Sequence, residues 1–380
     1  NKTGGIIIII LNLVGAITGL VQSTQTNKQN FTIIVLPDTQ FYSESYPEIF
    51  DTQTRWIIEN KDRLNIKMVL HLGDIVNTYT SISEWENANK SMSVLDRKIP
   101  WTVLPGNHDF KENNSINYEK YFGYKRFEGS EWYKGHYPDW SNLNNYALLN
   151  IDGMKLGFLN LKYMPYHPNL SALEWARDIV NEHSDYNFIV STHAYIGYAL
   201  RELGRDPKIW DNFLRNHKNI LLVLGGHTKS PQEASYIKDG INGNVVCEIL
   251  SNYQTSQNGG DGFLRYYTFV PSEGKIEAHT YSPYTREYST QFTMKYNLTE
   301  PIKCSLGPEA EAKRVIETPL EKLEVIKYEE KSANKWSLFF YYFLILLLIF
   351  LIFVWIKIIL LAKKDNYFLK KNPSNARGQL

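Results

Sequence analysis

The chain has 380 residues, with 41 Lys+Arg against 40 Asp+Glu for a formal net charge of +1, and it is 43% hydrophobic and 14% aromatic. That composition excludes a wholly disordered chain, and the near-zero charge argues against gripping nucleic acid by bulk electrostatics. Two cysteines exclude a disulfide-dense scaffold and a multi-cysteine metal framework.

Residues 1–23 carry Lys2 and an apolar run from Gly4 to Val21, and read as a signal peptide or an N-terminal anchor. A globular domain is expected over residues 24–290. Its first apolar run, Phe31 to Leu36, ends at Pro37-Asp38. Four more follow the same rule: 67–72 ends at Gly73-Asp74, 101–104 at Pro105-Gly106-Asn107-His108-Asp109, 188–192 at His193, and 220–224 at Gly225-Gly226-His227. Helical periodicity lies between them at 51–64, 83–97, 171–183 and 208–217. Alternating strands and helices predict an α/β core, where ligands bind beyond the carboxyl ends of the strands.

After Gly243 the runs 245–250, 263–270 and 275–281 look like antiparallel strands joined by Gly-rich turns. Asn258-Gly259-Gly260-Asp261-Gly262 lacks phosphate-loop spacing and reads as a hairpin turn. Cys247 and Cys304 fit one bridge in an oxidising compartment, while Cys247, in an apolar run, fits equally well as a buried free thiol. Residues 291–336 are charged and proline-bearing, and are expected to form a stalk.

Residues 337–362 form an apolar segment. Leu338 to Ile356 is uncharged for 19 residues, long enough for a transmembrane helix, and residues 363–380 form a basic tail expected to be cytoplasmic. The expected localisation is a single-pass membrane protein with its domain outside the cytoplasm. Sequons at Asn30, Asn89, Asn113, Asn169 and Asn297 are compatible with glycosylation there. Residues 24–336 hold 34 basic and 39 acidic side chains, so this domain is mildly acidic and no nucleic-acid partner is expected.

The strand-end residues Asp38, Asp74, Asn107, His193 and His227 are oxygen and imidazole donors that suit divalent metals. In this order, with Gly-Asn-His-Asp the most specific element, residues 31–285 resemble the calcineurin-like metallophosphoesterases. The resemblance implies a two-sheet α/β/β/α sandwich with a two-metal centre (Mn, Fe, Zn or Mg) that hydrolyses phosphate mono- or diesters with a metal-activated water. Asp74 would bridge the metals. Asn107, His193 and His227 would complete one site, and Asp38 would belong to the other. The implied catalytic residues are His108, facing the scissile phosphate as general acid or charge stabiliser, and Asp109, supporting the site from beside it.

The chain departs from the family pattern twice. Asp38-Thr39-Gln40 replaces Asp-x-His, and Gly226-His227-Thr228-Lys229 replaces Gly-His-x-His. Both missing imidazoles belong to one site, which is expected to be weaker and of harder ligands, with Gln40 offering a carbonyl oxygen. Lys229 is a candidate phosphate contact. The same losses suit an alternative, a catalytically impaired ectodomain that binds without turnover. His71 reads as a satisfied core histidine or as support to Asp74. The aromatic segment 121–146 reads as a loop with its own small core or as a pocket wall. Arg126 and Arg265 read as solvated residues or as substrate contacts. Asn252-Tyr253-Gln254 lies near the expected sheet edge with no assigned role.

Overall fold

Alternation within each strand decides the layering. In β1 (Phe31–Leu36), Phe31, Ile33 and Val35 enter one buried cluster while Ile34 and Leu36 enter another. Side chains alternate across a sheet, so such a strand is covered on both faces. The computed structural model describes residues 28–111, 114–199, 202–298 and 302–307. These lie in one of two compact units, Asn1–Val315.

Helices α1 (Gln40–Ser45) and α2 (Pro47–Glu59) follow β1, then β2 (Ile66–His71), α3 (Ile82–Ser93), β3 (Trp101–Val103) and α4 (Ile116–Phe122). Strands β4 (Tyr133–Tyr137), β5 (Asn144–Ile151) and β6 (Met154–Leu161) precede α5 (Ser171–Glu182) and β7 (Asn187–Thr192). A separate hairpin, β8 (Ile196–Ala199) and β9 (Glu202–Arg205), leads to α6 (Pro207–Asn212), β10 (Ile220–Gly225), β11 (Glu233–Asp239) and β12 (Val245–Ser251). The order closes with β13 (Leu264–Val270), β14 (Lys275–Ser282), β15 (Glu287–Asn297) and β16 (Lys303–Leu306).

One half of the sandwich runs β3-β2-β1-β13-β14-β15, and the other runs β12-β10-β7-β6-β5-β4 with β11 beside β12. β16 pairs with β15 and β12 and joins the halves into one strand path. Between them lies a core that includes Phe31, Met68, Phe158, Ile189, Leu222 and Ile249. Helices cover both outer faces: Trp85 and Met92 of α3 pack with Ile34 and Val69, and Leu173 and Val180 of α5 pack with Val190 and Val223. This is the mixed α/β sheet fold the resemblance implied, with helices on both outer faces, but β16 makes the two expected sheets one continuous sheet. The pairs β1–β2, β2–β3 and β7–β10 are parallel across connections that contain helices, and β10–β12 is parallel across a connection that contains β11.

Several expectations are corrected. β12 is parallel to β10 and antiparallel only to β11, so its carboxyl end faces the same way as that of β10. Residues 258–262 do not close a hairpin, because β12 and β13 belong to different halves; instead they carry the chain between the halves. Asn258, Gly259, Gly260, Asp261 and Gly262 all have positive φ there. The fold does not stop at residue 290: β15 and β16 take it through Leu306, into the segment read as stalk. Cys247 and Cys304 form a disulfide between β12 and β16, and neither is a free thiol.

The aromatic segment 121–146 contains β4 and the start of β5. Its Phe122 and Phe127 pack with Trp101 on the helix-covered face, which is the small-core reading. Among the described residues no helix is long and apolar enough to cross a membrane. The expected signal or anchor, transmembrane segment 337–362, basic tail and sequon Asn113 lie outside the described residues.

Candidate metal centre

Five loops bring polar side chains to one edge of the sandwich: Asp38 after β1, Asp74 after β2, Asn107 after β3, His193 after β7 and His227 after β10. They converge on one atom. His193 Nε2 lies 3.1 Å from Asn107 Oδ1, 3.2 Å from Asp74 Oδ2, 3.2 Å from His227 Nδ1 and 4.0 Å from Asp38 Oδ1. Asp74, His193 and His227 offer ligand atoms that all lie within 4.8 Å of one another.

The backbone at this edge is forced to close approach. Asp38, Asp74 and His227 have φ of 33°, 50° and 66°, left-handed conformations that cost non-glycine residues about 1–3 kcal/mol each and gather at functional sites. A Cβ on Gly106 would press into the Asp74 carboxylate, and one on Gly226 into the Asp38 carboxylate. Glycine at these two positions is therefore a packing requirement of the site. The His227 N–H donates to both Asp38 oxygens at 3.1 Å, and the His108 N–H donates to Asp74 Oδ1 at 2.9 Å.

Burial and mutual charge set the electrostatics of the cluster. Burial pushes the Asp38 carboxyl up to about 8, against the pull of His193. Burial would also raise Asp74, but His193 holds it below its ordinary value. Burial alone would lower His193, yet the Asp74 carboxylate carries it to about 9. Burial, with His193 adding to it, drops His227 to about 4. Gln40 Oε1 is buried with no hydrogen-bond partner among the described residues, while Gln40 Nε2 donates to Asn77 Oδ1 at 3.1 Å. Two carboxylates, two imidazoles, an amide oxygen beside His193 and the orphaned amide oxygen of Gln40, two residues after Asp38, form a donor set that fits divalent metal ions.

The other expected residues divide. His108 stands beside the cluster, its Nδ1 2.7 Å from the Asn77 carbonyl; a protonated Nδ1 donating there leaves Nε2 as the ring's other functional nitrogen. Asp109 does not contribute to the cluster as an expected catalytic group. Its Oδ1 accepts the Ile75 and Val76 N–H groups at 2.8 and 3.0 Å, and its Oδ2 accepts that of Gly106 at 2.7 Å. It clamps the loop after β2 to the loop after β3. His71 is the satisfied core histidine: Gly73 N–H donates to its Nδ1, and Nε2 meets Thr39 Oγ1 at 2.9 Å. Neither arginine meets the site: Arg126 pairs with Asp96 at 3.0 Å, and Arg265 is buried against Glu233 at 2.6 Å.

A groove of about 700 Å³ opens beside His227, with Tyr163, Met164, Tyr166, Ile196, Lys208 and Lys229 among its walls. Lys229 is exposed there. The Tyr163 ring packs against both imidazoles, with centroids 5.9 Å from His193 and 5.5 Å from His227. Tyr163 was not singled out from the sequence, and Gln254, noted near the sheet edge without a role, donates from Nε2 to Asp38 Oδ1 at 3.1 Å.

The fold and the metal-ligand cluster define a metallophosphoesterase-type domain. The chain belongs to the calcineurin-like phosphoesterase family, whose profile matches residues 31–231. It is similar to the uncharacterized protein YvnB of Bacillus subtilis (strain 168), at 34% identity over 295 residues. That match covers 76% of this chain, which spans only 22% of the relative's length. Among solved structures it is similar to the purple acid phosphatase PPD1 of yellow lupin (12% identity, TM-score 0.48, 70% of this chain and 54% of that one). It is also similar to GAP50, the anchor in the inner membrane complex of Plasmodium (13% identity, TM-score 0.45, 71% of this chain and 90% of that one).

Proposed function

We propose that this domain hydrolyses phosphate mono- or diesters in a metal-dependent reaction, with Asp38, Gln40, Asp74, Asn107, His193 and His227 as ligands. The observation that carries this reading is the convergence of four metal-ligating side chains on His193 Nε2 from four separate loops. Divalent metals held there would supply an activated water and neutralise phosphoryl oxygens. Asp74, whose Oδ2 lies 3.2 Å from His193 Nε2 and whose Oδ1 accepts the His108 N–H, would be the ligand shared between two ions.

The chain's own groups do the remaining work. The Asn77 carbonyl holds the His108 ring, so Nε2 is the nitrogen available to protonate the leaving oxygen, a role worth about 10²–10⁴-fold. Tyr163 walls the imidazoles on the groove side and limits water access to them. Lys229, on the groove wall beside His227, meets a phosphate anion. The groove takes the organic arm of the ester.

We place the domain outside the cytoplasm, tethered by residues 337–362. The Cys247–Cys304 bridge supports an oxidising compartment, and the 19 uncharged residues Leu338 to Ile356 support the tether.

The test is hydrolysis of aryl phosphate mono- and diesters by the purified protein with added Mn. His108→Ala should lose at least a hundredfold in turnover with metal content unchanged. Metal uptake without turnover by the wild type would favour the binding ectodomain, and loss of metal from the variant would make His108 a ligand or a folding residue.

A further inference from the structure

Seven segments leave parallel strands at the edge of the metal centre; five carry residues of the family pattern, and a sixth, after β6, carries Tyr163. The seventh follows β12 and reads Asn252-Tyr253-Gln254. Its Gln254 is buried and donates from Nε2 to Asp38 Oδ1 at 3.1 Å. Asn252 Oδ1 accepts the Gln254 N–H at 3.0 Å, which fixes the turn, and Tyr253 is tied down through its hydroxyl to Glu233 at 2.7 Å.

The other end of the Gln254 amide is unsatisfied. Gln254 Oε1 is buried without a hydrogen-bond partner among the described residues, as is Gln40 Oε1 two residues beyond Asp38. Each orphaned buried acceptor costs about 1–3 kcal/mol. Gln254 touches the buried Asp38 carboxylate directly, and Gln40 follows Asp38 by two residues at the position where the family pattern has one of the missing imidazoles. A carboxylate and two carbonyl oxygens are hard donors, and a cation among them would satisfy all three.

We propose that Gln254 supplies an amide oxygen to the metal ion on the Asp38 side, replacing a missing imidazole from a different segment of the chain. With Asp38, Asp74 and Gln40 it makes that site all-oxygen, so that it takes Mn or Mg in preference to Zn. This rests on the metal-centre reading above, but its test does not need turnover.

The experiment is metal titration of the full chain by calorimetry, with Mn and then with Zn in competition, beside Gln254→Leu and Gln254→Glu. The wild type should bind two equivalents, the weaker one preferring Mn over Zn. Gln254→Leu should weaken only that second equivalent, by at least tenfold. Gln254→Glu keeps an oxygen in place and adds charge, so it should hold the second Mn as tightly as the wild type or more tightly.

If Gln254→Glu loses the second Mn as Gln254→Leu does, then Gln254 acts only by donating Nε2–H to Asp38, and the proposal fails. A single equivalent in the wild type, or an unaffected second equivalent in Gln254→Leu, also overturns it. Should the variants not fold, wild-type competition decides, because two equivalents with the same Zn-against-Mn selectivity exclude an all-oxygen second site. Two bound equivalents without ester hydrolysis would defeat the hydrolase reading and leave this one standing.

Discussion

Replacing Asp109 separates a structural clamp from a catalytic acid. The carboxylate is buried and accepts three backbone N–H groups, from Ile75, Val76 and Gly106. Burial and the nearby Asp74 raise its pKa, and the Gly106 and Val76 N–H bonds pull it back. In Asp109→Asn the side-chain oxygen can keep the Ile75 and Val76 bonds, while the new NH2 faces the Gly106 N–H. The Gly106 N–H and the new NH2 are then both buried donors without an acceptor, at about 2–6 kcal/mol in all, or roughly 4–20 °C in Tm for a domain of this size. Asp109→Ala leaves three donors unpaired, about 3–9 kcal/mol in all, comparable with the whole stability of a typical domain. Thermal melts of the two variants should therefore rank wild type, Asp109→Asn, Asp109→Ala in descending order. An Asp109→Asn protein that melts with the wild type yet loses turnover would refute the clamp and restore Asp109 to the chemistry.

Two further outcomes follow from the fold. The Cys247–Cys304 bridge closes a sequence separation of 57 residues and joins the strands that link the two halves of the sandwich. By chain entropy it contributes about 4 kcal/mol, so Cys247→Ala/Cys304→Ala should lose roughly 10 °C in Tm, and an unchanged melt would sink that account. His217 is buried, and burial, with Arg177 adding to it, lowers its pKa from 6.5 to about 4. Between pH 6.5 and 4 the unfolded chain takes up a proton that the folded chain refuses, so stability falls as pH drops through this window. Denaturant melts at pH 7 and 4.5 should show a smaller loss in His217→Gln than in the wild type, and parallel losses would exclude His217 as a source of acid sensitivity.

Much of the site was legible because the chemistry sits at the ends of apolar runs. A parallel strand buried on both faces must be nearly all apolar, so the first polar residue after it marks the sheet edge. Asp38, Asp74, Asn107, His193 and His227 all follow that rule, and the structure brings them together. Asp109 was expected beside His108 in a supporting place, and the structure gives that support a form, a clamp on the backbone of two loops that no local pattern announces. Strands β4, β5 and β6 went unseen because their aromatic and polar residues obscure a period of two. The fold boundary fell early because the alternation of Ile302, Cys304 and Leu306 is short and lies among charged residues.

The amino-acid sequence by itself determined the local facts: which segments are apolar on two faces, where each ends, and which metal-ligating side chain stands at that end. It therefore carried the family, the layer order and five of the ligand candidates. Only the tertiary structure decided what depends on pairing between distant segments. That β12 runs parallel to β10, and so delivers Gln254 to Asp38, is a matter of register between strands. That Cys247 meets Cys304 depends on β16 filling the seam between the two halves. These contacts join residues far apart in the chain through packing, and no local pattern encodes them.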